Sequence, residues 1–319
     1  MPTLNRFESR PNITVEIVEP RKLLSRKRAI IATAAVALCM AAAPESEAAV
    51  CAPTKPSTFA YRTVPGVDRN LTSLDVYMPA ASCRKGRKPP VVVWVHGGAY
   101  QIGDKAKADM PTKAGFFNSQ GWALVSINYR LTDMSQPNPW RWPTHYEDGA
   151  AALAWVKKNM ASKGADPSRI ALLGHSAGAD LVSNLATQPS YLSKYGLSPR
   201  DLRCQGPLDT EGFDKSSLDP NTQWWANALG NAPDWRRTTS ATLIARRGVG
   251  TPRAIVALRG RYTTVPNSYI AKLAQIGVSG NTAINAQSLT HEEVNSEIGK
   301  PGDRVMTPPL LAFLASCLR

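Results

Sequence analysis

Residues 170–178 read Ile170-Ala171-Leu172-Leu173-Gly174-His175-Ser176-Ala177-Gly178. A short apolar run bounded by a glycine suits a buried strand better than a helix. Gly174 to Gly178 then spell G-x-S-x-G, and the residues beyond, through Ala186, continue as an apolar helix. A serine on a sharp strand-to-helix turn has its hydroxyl pushed above the sheet, and glycines two positions to either side let the helix pack close to the strand. The first helical turn also offers backbone N–H groups and a positive dipole end to developing negative charge. In open α/β sheets ligands sit outside the carboxyl ends of the strands, and Ser176 falls there. It is the candidate nucleophile, and the Ala177 amide a candidate donor to an oxyanion.

The same alternation runs outward along the chain. Residues 59–64, 74–77, 91–95, 123–128, 254–258 and 284–289 read as short apolar strands. Residues 150–160, 292–298 and 309–318 read as helices, the first with an acidic start at Glu147-Asp148. Short apolar strands separated by helices predict an α/β fold whose central, mostly parallel sheet is covered by helices on both faces. Residues 188–202 and 212–249 are expected to fold over the site as cap-like insertions, with no separate domain boundary. Tyr100, Trp140, Trp142, Trp224 and Trp225 are candidates to line an acyl or aryl pocket, although aromatic residues serve packing more often than substrate contact.

His96-Gly97-Gly98-Ala99-Tyr100 follows residues 91–95 and lies 80 residues ahead of Ser176. Glycines there let backbone N–H groups approach a carbonyl unobstructed. The amides of Gly97, Gly98 and Ala177 are therefore the expected oxyanion hole, each such donor being worth roughly 3–4 kcal/mol in the transition state. Together with Leu74-Asp75-Val76-Tyr77, Gly103-Asp104-Lys105, Asn128-Tyr129-Arg130, Asp166-Pro167-Ser168-Arg169-Ile170 and Thr290-His291-Glu292-Glu293-Val294-Asn295, these stretches resemble the esterase/lipase superfamily of α/β-hydrolases. The resemblance places the chain near bacterial esterases with an HGG oxyanion motif, and it spans residues 59–319. The resemblance implies the α/β-hydrolase fold and a serine hydrolase that cleaves carboxylic esters through an acyl-enzyme. It leaves the substrate open, with formamidase-like or lipase-like chemistry as near alternatives. An inactive fold kept for binding is the alternative from another class.

The chain has only four histidines. His96 and His175 belong to the two motifs, and His145 lies upstream of the serine. Hydrolases of this fold order their triad Ser, acid, His, so His291, 115 residues after Ser176, is the expected base. The acid is harder to place. In the family's usual pattern it follows a late strand, and here that loop reads Arg259-Gly260-Arg261-Tyr262-Thr263-Thr264-Val265-Pro266, with no carboxylate anywhere between Asp234 and Glu292. Asp209, after the apolar pair Pro207-Leu208, is the favoured acid, with Glu211 and Asp214 in reserve. An enzyme lacking a proper acid is the remaining reading.

The chain has 319 residues, 43% of them hydrophobic, which is ample for one packed catalytic domain. Its net charge of +14 raises nucleic acid as a partner. Residues 1–48 hold seven Lys/Arg and five Glu; the remaining basic residues are scattered, with no run of five. No nucleic-acid partner is expected. Arg21-Lys22-Leu23-Leu24-Ser25-Arg26-Lys27-Arg28, the 15-residue apolar stretch 29–43 and the small residues around Ser46-Glu47-Ala48-Ala49 together read as a secretory signal peptide over residues 1–48. That stretch is short of the roughly 20 residues of a membrane span. A secreted or periplasmic catalytic domain over residues 49–319 follows, with no stable membrane insertion once the signal is cleaved. It keeps Cys51, Cys83, Cys204 and Cys317. Two disulfides are expected in an exported chain; of three pairings, closeness in sequence favours Cys51–Cys83, which leaves Cys204–Cys317. The sequence holds no metal-ligand cluster, dinucleotide motif or phosphate loop, so neither metal nor cofactor is expected, and the expected partner is a small ester substrate.

Overall fold

Val91, Val92, Val93, Trp94 and Val95 each keep at most 2% of their surface exposed. A run with no polar alternation has to be covered on both faces, and the computed structural model, which describes residues 51, 55–84, 86–137 and 139–319, shows how. Eight strands form one sheet: β1 (Ser57–Ala60), β2 (Ser73–Tyr77), β3 (Pro90–Val95), β4 (Ala123–Ile127), β5 (Asp166–His175), β6 (Cys204–Leu208), β7 (Arg253–Leu258) and β8 (Thr282–Asn285). Their spatial order is β1-β2-β4-β3-β5-β6-β7-β8. Pairing is antiparallel from β1 to β2 to β4 and parallel from β4 through β8.

Successive residues of the central strands enter different cores, as the pleat requires. Val91, Val93, Val95 and Leu172 pack with Leu153 and Val156 of helix Thr144–Asn159 and with Leu181 and Leu185 of helix Ala177–Thr187. Val92, Trp94, Ala171 and Leu173 pack on the opposite face, with Phe117 of helix Met110–Ser119 and Leu314 of helix Thr307–Cys317. Each fully buried side chain of this size contributes about 1.5–3 kcal/mol relative to exposure.

Several boundaries differ from the sequence reading. The first strand is confined to Ser57–Ala60, and the last runs Thr282–Asn285 rather than over residues 284–289. The helices Met110–Ser119 and Thr264–Gln275 are additional elements, and β6 supplies the strand that ends directly before Asp209. β6 reads Cys-Gln-Gly-Pro-Leu, poor strand residues held in place by β5 on one side and β7 on the other. The two added helices carry proline near their start, and only tertiary burial of residues such as Phe117, Tyr269 and Leu273 identifies them.

Both expected disulfides are formed. Cys51–Cys83 closes a separation of 32 residues, and Cys204–Cys317 joins β6 to the last helix across 113. The expected signal segment, residues 1–48, lies outside the described residues.

Candidate active site

β5 ends at His175 and the next helix runs Ala177–Thr187, so Ser176 alone makes the turn, at φ 56 and ψ −120. A non-glycine residue held there costs of order 1–3 kcal/mol. Two contacts hold it. The Ser176 N–H donates to the Leu208 carbonyl at 3.1 Å, tying the turn to the end of β6. Gly178 lies so close to the Val95 and His96 carbonyls that any Cβ would overlap them. Among the described residues five non-glycine residues have positive φ, and four of them, Ala99, Tyr100, Ser176 and Asp209, line one cavity of about 410 Å³. Backbone strain is therefore concentrated around this cavity.

His291 opens helix His291–Ser296, whose start is fixed by reciprocal hydrogen bonds between Thr290 and Glu293. Its imidazole, 40% exposed, lines the same cavity, while the Asp209 carboxylate directly after β6 is 7% exposed. Asp209 Oδ2 accepts from His291 Nδ1 at 2.6 Å and also from Arg259 Nε. A carboxylate on Nδ1 assigns the proton to that nitrogen and leaves Nε2 as the basic one. Ser176, His291 and Asp209, named from three distant stretches of sequence, thus meet at one cavity. The reserve acids are engaged elsewhere: Glu211 Oε1 accepts from Trp225 Nε1 at 2.9 Å, and Asp214 Oδ1 caps Ser216. The β7 loop that lacks a carboxylate instead sends Arg259 across to Asp209.

The other histidines are held neutral. Burial pushes His96 and His175 down to about 4 and His145 down to about 3. His175, Asp209 and His291 bring potential metal ligands within 4.8 Å of one another. Their hydrogen bonds are already mutual, however, since His175 Nε2 lies 2.8 Å from the His291 carbonyl and His291 Nδ1 is held by Asp209. That set suits an oriented base better than a metal centre.

At the candidate oxyanion turn, Gly97 backs onto Ser176 so closely that a Cβ would sit 2.9 Å from Ser176 Cβ. Gly98 adopts φ 113, which favours glycine. Among the described residues no acceptor is present for the amides of Gly97, Gly98, Ala99 or Ala177. Ala177, Ala99 and Tyr100 line the cavity, with Gly97 and Gly98 outside the lining. Sequence reasoning passed over Ala99, whose only signal was its place directly after the two glycines. Of the aromatic candidates, Tyr100, Trp224 and Trp225 line the cavity, whereas Trp140 stacks on Arg130 and Trp142 donates to Tyr191. Of the two expected insertions, residues 212–249 supply Trp224 and Trp225, while residues 188–202 contribute nothing to the lining and pack Tyr191 and Leu192 into the core.

Residues 74–195 match the family model described as BD-FAE. Human carboxylesterase 5A is 36% identical over 130 residues, covering 39% of this chain and 22% of that protein. Esterase LipQ of Mycobacterium tuberculosis is 38% identical over 119 residues, covering 37% of this chain and 26% of that one. The matched stretch is thus about a quarter or less of these curated relatives. Among solved structures, an inhibited esterase B from Lactobacillus rhamnosis superposes with a TM-score of 0.65 at 17% identity, over 83% of this chain and 88% of that one.

Proposed function

We propose that this chain, an α/β-hydrolase of the carboxylesterase type, is a serine hydrolase that cleaves carboxylic esters of small molecules. The observation that carries the reading is the meeting of Ser176 with His291 at one cavity, where Asp209 holds the imidazole by Nδ1. Ser176 Oγ attacks the ester carbonyl as its proton passes to His291 Nε2. The oxygen's developing charge is received by the Ala177 amide and the unpaired amides of the Gly97-Gly98-Ala99 turn. Asp209 stabilises the imidazolium without taking its proton. Collapse expels the alcohol, which leaves with the proton from His291. Water, activated by the same imidazole, then releases the acid from the acyl-enzyme.

A cavity of about 410 Å³ is within the range of small-molecule sites. Its walls include Trp224, Trp225, Tyr262, Val265 and Pro266, which favour a short acyl or aryl ester. The binding-only alternative loses its premise, because an acid stands at hydrogen-bond distance from His291. Two disulfides call for an oxidising compartment. With the basic, apolar and small-residue pattern of residues 1–48 they support a secreted or periplasmic protein. Among the described residues no helix is long and apolar enough to cross a membrane.

The test is covalent labelling with a fluorophosphonate. Wild-type protein is expected to label and Ser176→Ala to remain unlabelled at equal folding. Failure of the folded wild-type protein to label, or equal labelling of the alanine variant, would remove the serine-hydrolase reading. A panel of p-nitrophenyl esters beside an N-formyl anilide separates esterase from formamidase chemistry.

A further inference from the structure

Behind the cavity lies an ion pair that the reaction above does not use. Asp180, in the helix that follows Ser176 and four residues beyond it, and Lys215, in the loop after Asp209, both have side chains with no exposed surface. Lys215 Nζ donates to Asp180 Oδ1 at 2.6 Å, to the Gly212 carbonyl at 2.7 Å and to the Thr239 carbonyl at 2.6 Å, so all three ammonium donors are used. Asp180 Oδ2 accepts from Tyr100 at 2.6 Å and from Tyr146 at 2.8 Å. Burial raises both phenols well above their ordinary value, which keeps them protonated donors. The ammonium also lies 4.9 Å from the centre of the Trp225 ring. A side chain at Gly212 would overlap the Asp180 carboxylate, so the acid loop is pressed directly against the nucleophile's helix.

A buried ion pair adds little net stability over apolar residues of similar volume. What this one supplies is a single arrangement, because the helix behind Ser176, the oxyanion turn through Tyr100, the acid loop through Gly212 and the cavity wall through Trp225 all converge on it. We propose that Asp180 and Lys215 are a positioning pair, which fixes the nucleophile, oxyanion turn and acid loop relative to one another and sets the acyl wall formed by Trp225. The proposal rests on the serine-hydrolase reading. Neither residue touches substrate; both act through Tyr100, Trp225 and the segment that carries Asp209.

The experiment replaces both charges at once, Asp180→Asn with Lys215→Met, since removing one partner alone leaves a buried unpaired charge. Thermal unfolding establishes that the double variant folds. Hydrolysis of p-nitrophenyl esters from acetate to octanoate is then compared with wild type. For acetate, kcat/KM is expected to fall about 100-fold, the scale of a roughly 1 Å misplacement, with the loss in kcat. Preference is expected to move toward longer acyl chains as the Trp225 wall is released. A folded double variant with wild-type rates and wild-type chain-length preference would overturn the proposal. Tyr146→Phe removes one donor to Asp180 from outside the cavity lining and decides the matter if the double variant does not fold. It is expected to shift chain-length preference in the same direction by several-fold, and an unchanged preference would overturn the proposal. Ser176→Ala is measured alongside; wild-type turnover in that variant would sink the hydrolase reading itself, a failure separate from that of the pair.

Discussion

At the scale of single residues, the groups that stand at His291 decide the proposed chemistry. Asp209 is placed to hold the tautomer that leaves Nε2 basic. Asp209→Asn preserves size but lets the wrong nitrogen carry the proton. It is expected to lower kcat by about 10⁴-fold, the loss seen when a triad carboxylate becomes an amide, with thermal stability changed far less. An ester-hydrolysis rate within a few-fold of wild type would reject Asp209 as the acid. Ser176 and His291 were legible in sequence because one sits in a strand-turn-helix motif and the other was left over among four histidines. Asp209 was legible only as a favoured choice. No sequence pattern shows that Glu211 is taken by Trp225, that Asp214 is taken by Ser216, or that Arg259 crosses to Asp209. The Asp214–Ser216 contact is a local turn two residues long, whereas the Arg259–Asp209 pairing joins the ends of two strands and exists only once those strands lie side by side.

Among the elements, the central strands β3, β4 and β5 were read from their apolar runs alone. The edges β1 and β8 and the helices Met110–Ser119 and Thr264–Gln275 were mislocated or missed, because tertiary contacts outweigh their weak local preferences. β6 is the instructive case: it carries Asp209 directly after its end, yet with a Gly-Pro core its one strand signal was the apolar pair Pro207-Leu208. It is anchored through Cys204 to Cys317 in the last helix. Replacing both cysteines by serine is expected to destabilise the fold by about 3–5 kcal/mol, as for a long closed loop. Unfolding in denaturant with the remaining disulfide intact measures this, and a midpoint equal to wild type would contradict it. At the turn itself, Gly178→Ala drives a methyl into the Val95 and His96 carbonyls. The cost is expected to be about 1–3 kcal/mol with a concurrent loss of turnover, read from the same denaturation curve and an ester assay. A stable, fully active variant would show that the helix does not need this close approach.

For the whole molecule, three of the four histidines are buried and neutral, with pKa values pushed down by burial to about 4 for His96 and His175 and about 3 for His145. In the unfolded chain they take up protons below about 6.5, whereas the folded chain resists until about pH 4. Their contribution to stability is therefore present above pH 6.5 and is lost progressively as the pH falls toward 4. The unfolding midpoint is expected to be lower at pH 5 than at pH 8, and an equal or higher midpoint at pH 5 would contradict it. The basic residues, prominent in the composition, are scattered, two of them, Arg259 and Arg261, lining the strained cavity where Ser176, His291 and Asp209 meet. In the proposed reaction Ser176 carries the acyl group. Acid-quenching the protein during turnover of p-nitrophenyl acetate, followed by peptide mass spectrometry, tests this directly. An acetyl group on the peptide containing Ser176, absent from Ser176→Ala, is the expected result. An acetyl group on another residue, or undiminished turnover in Ser176→Ala, would contradict it.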